Sequence, residues 1–334
     1  MRCIEVVGVR RERYDKNGNI TKLKRYGDSD DVDYAFVIDD LQYTYDTTNK
    51  NRLLKVTDYS SVPQGFKDDS TGSNNDDPED DYKYDSNGNL VADQNKDIEN
   101  ITYNHLNLPV TIKFATTGNK ISYLYNAAGT KIRKIVSTNS EIITDYMAGG
   151  FQYLETKLKY FPHPEGYVTI VDDKFHYVYN YTDHLGNVRL SYSDADADGA
   201  IDSHEIMEEN NYYPFGLKHE GYNNDVVLGS NYKFNGFELQ NELSLNLYDF
   251  GSRFYDPAKG RWDVVDPLAE MSRRYSPYSY ALDNPVYFID PDGMRATGFD
   301  WQPDKNGNLI AEKGDNTATL AQYLGTKIFQ ADLL

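Results

Sequence analysis

The sequence predicts a mainly β protein, and three observations carry that expectation. Tyrosine is unusually abundant, with 30 Tyr among 334 residues against 14 Phe and 2 Trp. Tyr favours strands, where its ring covers apolar surface while its hydroxyl stays at water. A short unit also recurs: an aromatic strand, Asp or Asn, two residues, Gly, a polar residue, and a second strand. Finally, the flanks of that unit alternate as half-buried strands do, with Ile121, Tyr123 and Tyr125 on one face and Ser122 and Leu124 on the other.

Tyr84-Asp85-Ser86-Asn87-Gly88-Asn89-Leu90 is the cleanest copy of the unit, and Tyr14-Asp15-Lys16-Asn17-Gly18-Asn19-Ile20 is another. Tyr125-Asn126-Ala127-Ala128-Gly129-Thr130 is a third, and Tyr181-Thr182-Asp183-His184-Leu185-Gly186-Asn187 is a variant. Tyr45-Asp46 and Tyr103-Asn104 open units whose glycine is missing. From Tyr84 to Tyr103 and on to Tyr125 the steps are 19 and 22 residues. Asn-Gly turns accept positive φ and connect twisted antiparallel strands. One hairpin alone is marginal, so the units are expected to pair laterally into one sheet spanning residues 1–211. Residues 60–81, dominated by Ser, Gly, Asn, Asp and Pro, read as a disordered insertion.

Acidic residues outnumber basic ones by 53 to 34, a formal charge of −19. That potential repels phosphates and anionic lipid, so neither nucleic acid nor a membrane is an expected partner. Cys3 stands alone, which excludes a disulfide framework and a Cys-rich zinc site. No apolar run approaches the ~20 residues needed to span a bilayer. Residues 1–13 lack the apolar core of a signal peptide, so an export signal and further upstream repeats are expected outside this stretch.

Residues 194–205 have the spacing of an EF-hand-type calcium loop. Ca²⁺ takes six to eight hard oxygens. Asp194, Asp196 and Asp198 supply side chains at the first, third and fifth positions, and Gly199 permits the sharp turn. Ala200 offers its carbonyl, Asp202 acts through water, Glu205 closes with both oxygens, and Ile201 stands at the apolar anchor position. The competing reading is an ordinary acidic surface loop. The preceding 188–192 read as a strand, and 203–210 as a short exiting helix, so the loop is grafted onto a β scaffold. A structural role for the ion is expected.

From about Tyr212 the text changes character. Tyr213-Pro214-Phe215-Gly216 is a turn. Then follow Tyr248-Asp249-Phe250-Gly251-Ser252-Arg253-Phe254-Tyr255-Asp256-Pro257, Gly260-Arg261-Trp262, Asp266-Pro267-Leu268, Ser276-Pro277-Tyr278-Ser279-Tyr280, Asn284-Pro285 and Asp290-Pro291-Asp292-Gly293-Met294. This series resembles the repeat-associated core of Rhs and YD-repeat proteins, and the Tyr-Asp units extend the resemblance over nearly all of 10–294. The resemblance implies a repeat sheet that spirals into part of a hollow shell, closed by a core over 212–294, in a secreted toxin or cell-surface protein. It implies a variable segment after the core, here 295–334, held inside as cargo.

The resemblance also implies self-cleavage after the last core motif, between Met294 and Arg295, by an aspartyl-type pair assisted by an arginine. By position these are Asp266, Asp290 and Arg253. Two close carboxylates do not both ionise cheaply, so one keeps a proton while the other acts as base. Arg253 is expected to hold one of them with a bidentate pair. The plain alternative is that Asp-Pro merely starts turns. Residues 295–334 carry a hairpin signal at 304–308, then a stretch resembling the start of a LysM glycan-binding module with a short helix. Two functions therefore stand side by side. One is a toxin-delivery shell using a secretion apparatus. The other is a calcium-stiffened, non-catalytic surface module with a cell-wall glycan as partner.

Overall fold

A computed structural model describes residues 8–9, 12–27, 35–60, 62–68, 80–196, 198–220, 229–298, 302–303 and 309–310. The units fold as antiparallel hairpins, and the hairpins pair laterally in chain order. A first sheet sets Ile20–Gly27, Phe36–Tyr45 and Leu53–Asp58 side by side, with Gly8–Val9 and Arg13–Tyr14 both paired to Ile20–Gly27. A second sheet runs through thirteen strands, from Tyr82–Tyr84 to Ile206–Glu209, each bonded to its sequence neighbour. Between the two sheets a carboxylate replaces the ladder, because the buried Val56 N–H donates to Asp81 Oδ2 at 2.8 Å.

One local device builds the turns. Asp85 Oδ1 accepts from Asn87 N–H (2.9 Å) and Asn89 N–H (2.8 Å), and Oδ2 accepts from Asn89 Nδ2 (2.9 Å). Asp15, Asn126 and Asp183 cap their own turns in the same way. Gly88 has φ +86°, and a Cβ there would stand 2.8 Å from Tyr278 Oη, so the position admits only glycine without strain. The unit at Tyr103 lacks a glycine yet keeps the turn. Asn107 takes φ +58° in its place, a conformation Asn tolerates, while Asn104 Oδ1 accepts from Leu106 and Leu108.

The tyrosines do more than the sequence suggested. Four hydroxyls are bonded to the backbone instead of lying at water. Tyr45, Tyr103, Tyr125 and Tyr212 donate to the carbonyls of Ile20, Leu90, Pro109 and Val188, each the first residue after an earlier turn or at the start of an earlier strand. Burial pushes the Tyr45 phenol up to about 12. Phe would fill the same space without donating to those carbonyls.

The inner face of this wall packs on the residues 212–294. A small sheet of Glu238–Gln240, Leu247–Asp249, Phe254–Asp256 and Arg261–Trp262 lies there. Phe215, Phe234, Tyr248, Phe250, Tyr255, Trp262 and Tyr280 form an aromatic cluster with Leu23, Leu41, Val56 and Tyr82 of the wall. Buried ions tie the layers. Lys259 Nζ lies 3.0 Å from Asp93 of the wall, 3.2 Å from Asp256 and 3.0 Å from Asp263. Lys131 of the wall bonds Glu238 at 2.7 Å and Asp249 at 2.6 Å.

Three expectations need correction or restriction. The short helix expected over 203–210 does not form: Ile206–Glu209 is a strand paired with Val188–Tyr192. Met207 and Glu208 are buried by that pairing, which overrides local propensity. The stretch 60–81 is anchored at both described ends. Phe66 is a core residue whose N–H donates to Asp39 Oδ1 at 2.6 Å, and Asp81 is buried at the sheet junction. In the tail, Gln302–Pro303 pairs with Leu309–Ile310 around the expected hairpin, whereas the helix and LysM-like stretch lie outside the described residues. Among the described residues no helix is long and apolar enough to cross a membrane.

Candidate functional site

Arg253, Asp266 and Asp290 lie far apart in sequence, and the fold brings them together. Arg253 follows the turn after Leu247–Asp249 and is 1% exposed. Its Nη2 donates to Asp290 Oδ2 at 3.1 Å and to Asp266 Oδ2 at 3.3 Å. The expected two-bond grip on one carboxylate is therefore not what forms: one nitrogen serves both acids. The freed Nε donates instead to the Gly293 carbonyl.

Asp290 sits at the head of an Asp-x-x-Gly turn. Its Oδ1 accepts from Met294 N–H (3.0 Å) and from Arg295 N–H (3.1 Å), the amide of the bond expected to break. Asp292 Oδ1 shares the Met294 N–H at 2.9 Å, and Ser252 N–H donates to the Asp292 carbonyl at 3.3 Å. Gly293 has φ +73°, and a Cβ would meet Arg253 N and Phe250 Cβ at 3.1 Å. The segment 290–295 is thus held against the turn that carries Arg253. Asp266 does two jobs: Oδ1 caps its own turn by accepting from Leu268 N–H at 2.7 Å, and Oδ2 faces Arg253.

Burial sets the electrostatics. It raises Asp290 to about 6, against the pull of Arg253 and with help from Asp292 and Asp266. Burial also raises Asp266, opposed by Arg253, and lowers Arg253, opposed by both acids. A cavity of about 20 Å³ is lined by Arg253, Asp266, Asp290 and Ala296. One water needs on the order of 10–15 Å³ of such space.

The loop at 194–205 joins the paired strands Val188–Tyr192 and Ile206–Glu209. Carboxylate oxygens of Asp194, Asp196 and Asp198 lie within 4.8 Å of one another, and Asp194 Oδ1 is buried without a hydrogen-bond partner. Gly199 takes φ +78°. Among the described residues, the carboxylates of Asp202 and Glu205 are not gathered with these three. Glu205 Oε1 accepts from Ala195 N–H at 2.7 Å and Oε2 from Asp202 N–H at 3.2 Å, so its two oxygens cross-link the ends of the loop. Asp202 Oδ1 accepts from His204 N–H, and Ala200 N–H donates to Asp198 Oδ1. Ile201 is exposed, with no helix pair to anchor. The oxygen donor set suits a hard cation such as Ca²⁺.

Sequence reading missed the Gly293 carbonyl, the shared role of Asp292, and Trp262, whose ring lies 4.0 Å from the Arg253 guanidinium. One signal was available: Asp290-Pro-Asp-Gly293 repeats the Asp85-Ser-Asn-Gly88 pattern of the wall turns.

No family model matches the chain. It is 26% identical over 235 residues to salivary gland surface protein 1 of Aedes aegypti, covering 64% of this chain and 6% of that protein. It is 25% identical over 252 residues to the tRNA3(Ser)-specific nuclease WapA of Bacillus spizizenii, covering 73% and 9%. With toxin subunit YenC2 of Yersinia entomophaga it shares 32% identity over 108 residues, 32% of this chain and 10% of that one. The chain thus spans a tenth or less of the length of these curated relatives. The crystal structure of TcdB2-TccC3 without its hypervariable C-terminal region aligns with a TM-score of 0.49 at 18% identity, covering 85% of this chain and 17% of that one.

Proposed function

We propose that this chain, whose relatives are consistent with an Rhs/YD-repeat protein, is wall and closing core of a secreted or surface toxin-delivery protein, and that the core cuts the Met294–Arg295 bond once. The observation that carries the reading is the meeting of Asp266, Asp290 and Arg253 beside the Arg295 amide. A water in the small cavity loses a proton to Asp266 and attacks the Met294 carbonyl carbon. Asp290 in its protonated form delivers its proton to the Arg295 nitrogen as the C–N bond breaks, leaving a carboxyl on Met294 and an amine on Arg295. Arg253 holds both acids and the Gly293 carbonyl, so the substrate is aligned before reaction and needs no binding step. The cargo in this reading is the chain's own segment from residue 295 onward.

Intact mass spectrometry of the full chain tests it. The wild type yields a fragment beginning at Arg295, and Asp290→Asn abolishes it. A wild type that stays whole at every pH from 5 to 8 contradicts the reading and leaves the surface-module alternative.

The loop at 194–205 is the second part of the proposal. Ca²⁺ binds the oxygens of Asp194, Asp196, Asp198, Ala200, Asp202 and Glu205, and stiffens the connection between two wall strands. Calorimetry with calcium gives a binding isotherm that Glu205→Gln weakens. A flat titration at millimolar calcium removes the assignment without touching the cleavage reading.

A further inference from the structure

We propose that Trp262 is the positioning residue of the carboxylate site, its ring fixing the plane from which Arg253 reaches Asp266, Asp290 and the Gly293 carbonyl. For its effect on rate, the inference rests on the self-cleavage reading; its electrostatic effect is independent of it. The Arg253 guanidinium lies 4.0 Å from the Trp262 ring centroid, and both residues are 1% exposed. Arg253 Nη1 has no hydrogen-bond partner, so polar contacts through Nε and Nη2 grip the fork along one edge only. The indole face backs the rest of the plane, since a desolvated cation prefers the ring quadrupole, most strongly that of Trp.

A second observation separates this role from mere filling. Trp262 Nε1 is itself buried without a partner. An aromatic filler would be better as Phe, which brings no unpaired N–H into the core. The indole is held edge-on by Phe250 at 5.0 Å, Tyr255 at 5.2 Å and Tyr280 at 5.7 Å, so its plane is fixed from three sides. The charged groups facing Asp290 are Arg253, Asp266 and Asp292, and of these only Arg253 favours the ionised form. A guanidinium that loses its platform therefore moves Asp290 toward the protonated state.

Two variants of the full chain, Trp262→Leu and Trp262→Phe, test this with two readouts. The first is the rate constant for appearance of the Arg295 terminus across pH. It falls about tenfold in the Leu variant and less in the Phe variant, which keeps a ring face. The second is the titration midpoint of Asp290 by carboxyl ¹³C NMR, measured in an Asp266→Asn background so that no cutting intervenes. The midpoint rises in the Leu variant relative to its Asp266→Asn parent, and rises less in the Phe variant. If both variants keep the parent midpoint while melting earlier, Trp262 only packs the core and the proposal is overturned. If the wild type never cuts, the cleavage reading fails, and the midpoint alone still decides positioning. Should the Leu variant not fold, the Phe midpoint decides it.

Discussion

The turn at Asp85 and the turn at Asp290 start from the same four-residue pattern and end in different chemistry. Each has Asp followed three residues later by a glycine at positive φ, and in each the Asp Oδ1 accepts two backbone N–H groups just downstream. Around Asp85 the second oxygen meets Asn89, and the residue is half-buried at a hairpin turn. Around Asp290 the second oxygen meets a buried arginine that also holds a second acid, and burial raises the carboxyl to about 6. A turn device that is half-buried in the wall is, in the core, buried beside an arginine and a second acid. Surroundings, not the motif, make the difference.

Exchanging effects between the two turns is the sharpest way to break the comparison. Asp290→Asn keeps the turn's size and an acceptor for the Met294 and Arg295 amides but sets an NH2 against the buried Arg253, so stability falls while the Arg295 terminus vanishes from the mass spectrum. Next in size is the charge cluster that holds wall to core. Lys259→Met leaves Asp93 and Asp263 buried without their cation, and Asp256 with Lys96 alone at 3.4 Å. Stranding buried charge in this way costs about 3–5 kcal/mol, read by chemical denaturation. Smallest is the wall turn. Asp85→Ala removes three accepted hydrogen bonds at a site where water can replace them, a loss of about 1–2 kcal/mol, with the cut at Arg295 unchanged. If Asp85→Ala slowed the cut as much as Asp290→Asn, the two turns would not be separable in function.

The same contrast explains what the sequence made legible. Turn chemistry is local, so Tyr-Asp-x-x-Gly and strand alternation are readable from a few residues, as Ile121 and Tyr123 inside and Leu124 outside show. The three core residues were placed by resemblance, and their joint bond through one Nη2 was not foreseeable, because it depends on how residues 253, 266 and 290 meet across the core. Asn107 in a glycine's place, the carbonyl partners of Tyr45 and Tyr103, and the anchor Phe66 escaped for the same reason. Ile206–Glu209 was misread because an Ile-Met-Glu-Glu run has helical propensity, while its strand state is imposed by the neighbouring Val188–Tyr192. The calcium spacing predicted six ligands together; among the described acidic side chains Asp194, Asp196 and Asp198 stand close, while Glu205 is engaged with backbone amides.

The rate at which the Arg295 terminus appears, followed across pH in the purified full chain, tests most directly whether burial has turned a structural aspartate into a catalytic one. Asp290 holds its proton below about 6, so the rate climbs as pH falls through that value. It then declines at lower pH, when the partner acid is protonated as well and can no longer serve as base. A bell with its alkaline limb near 6 agrees with the account; a rate indifferent to pH, or a chain that remains intact throughout, contradicts it.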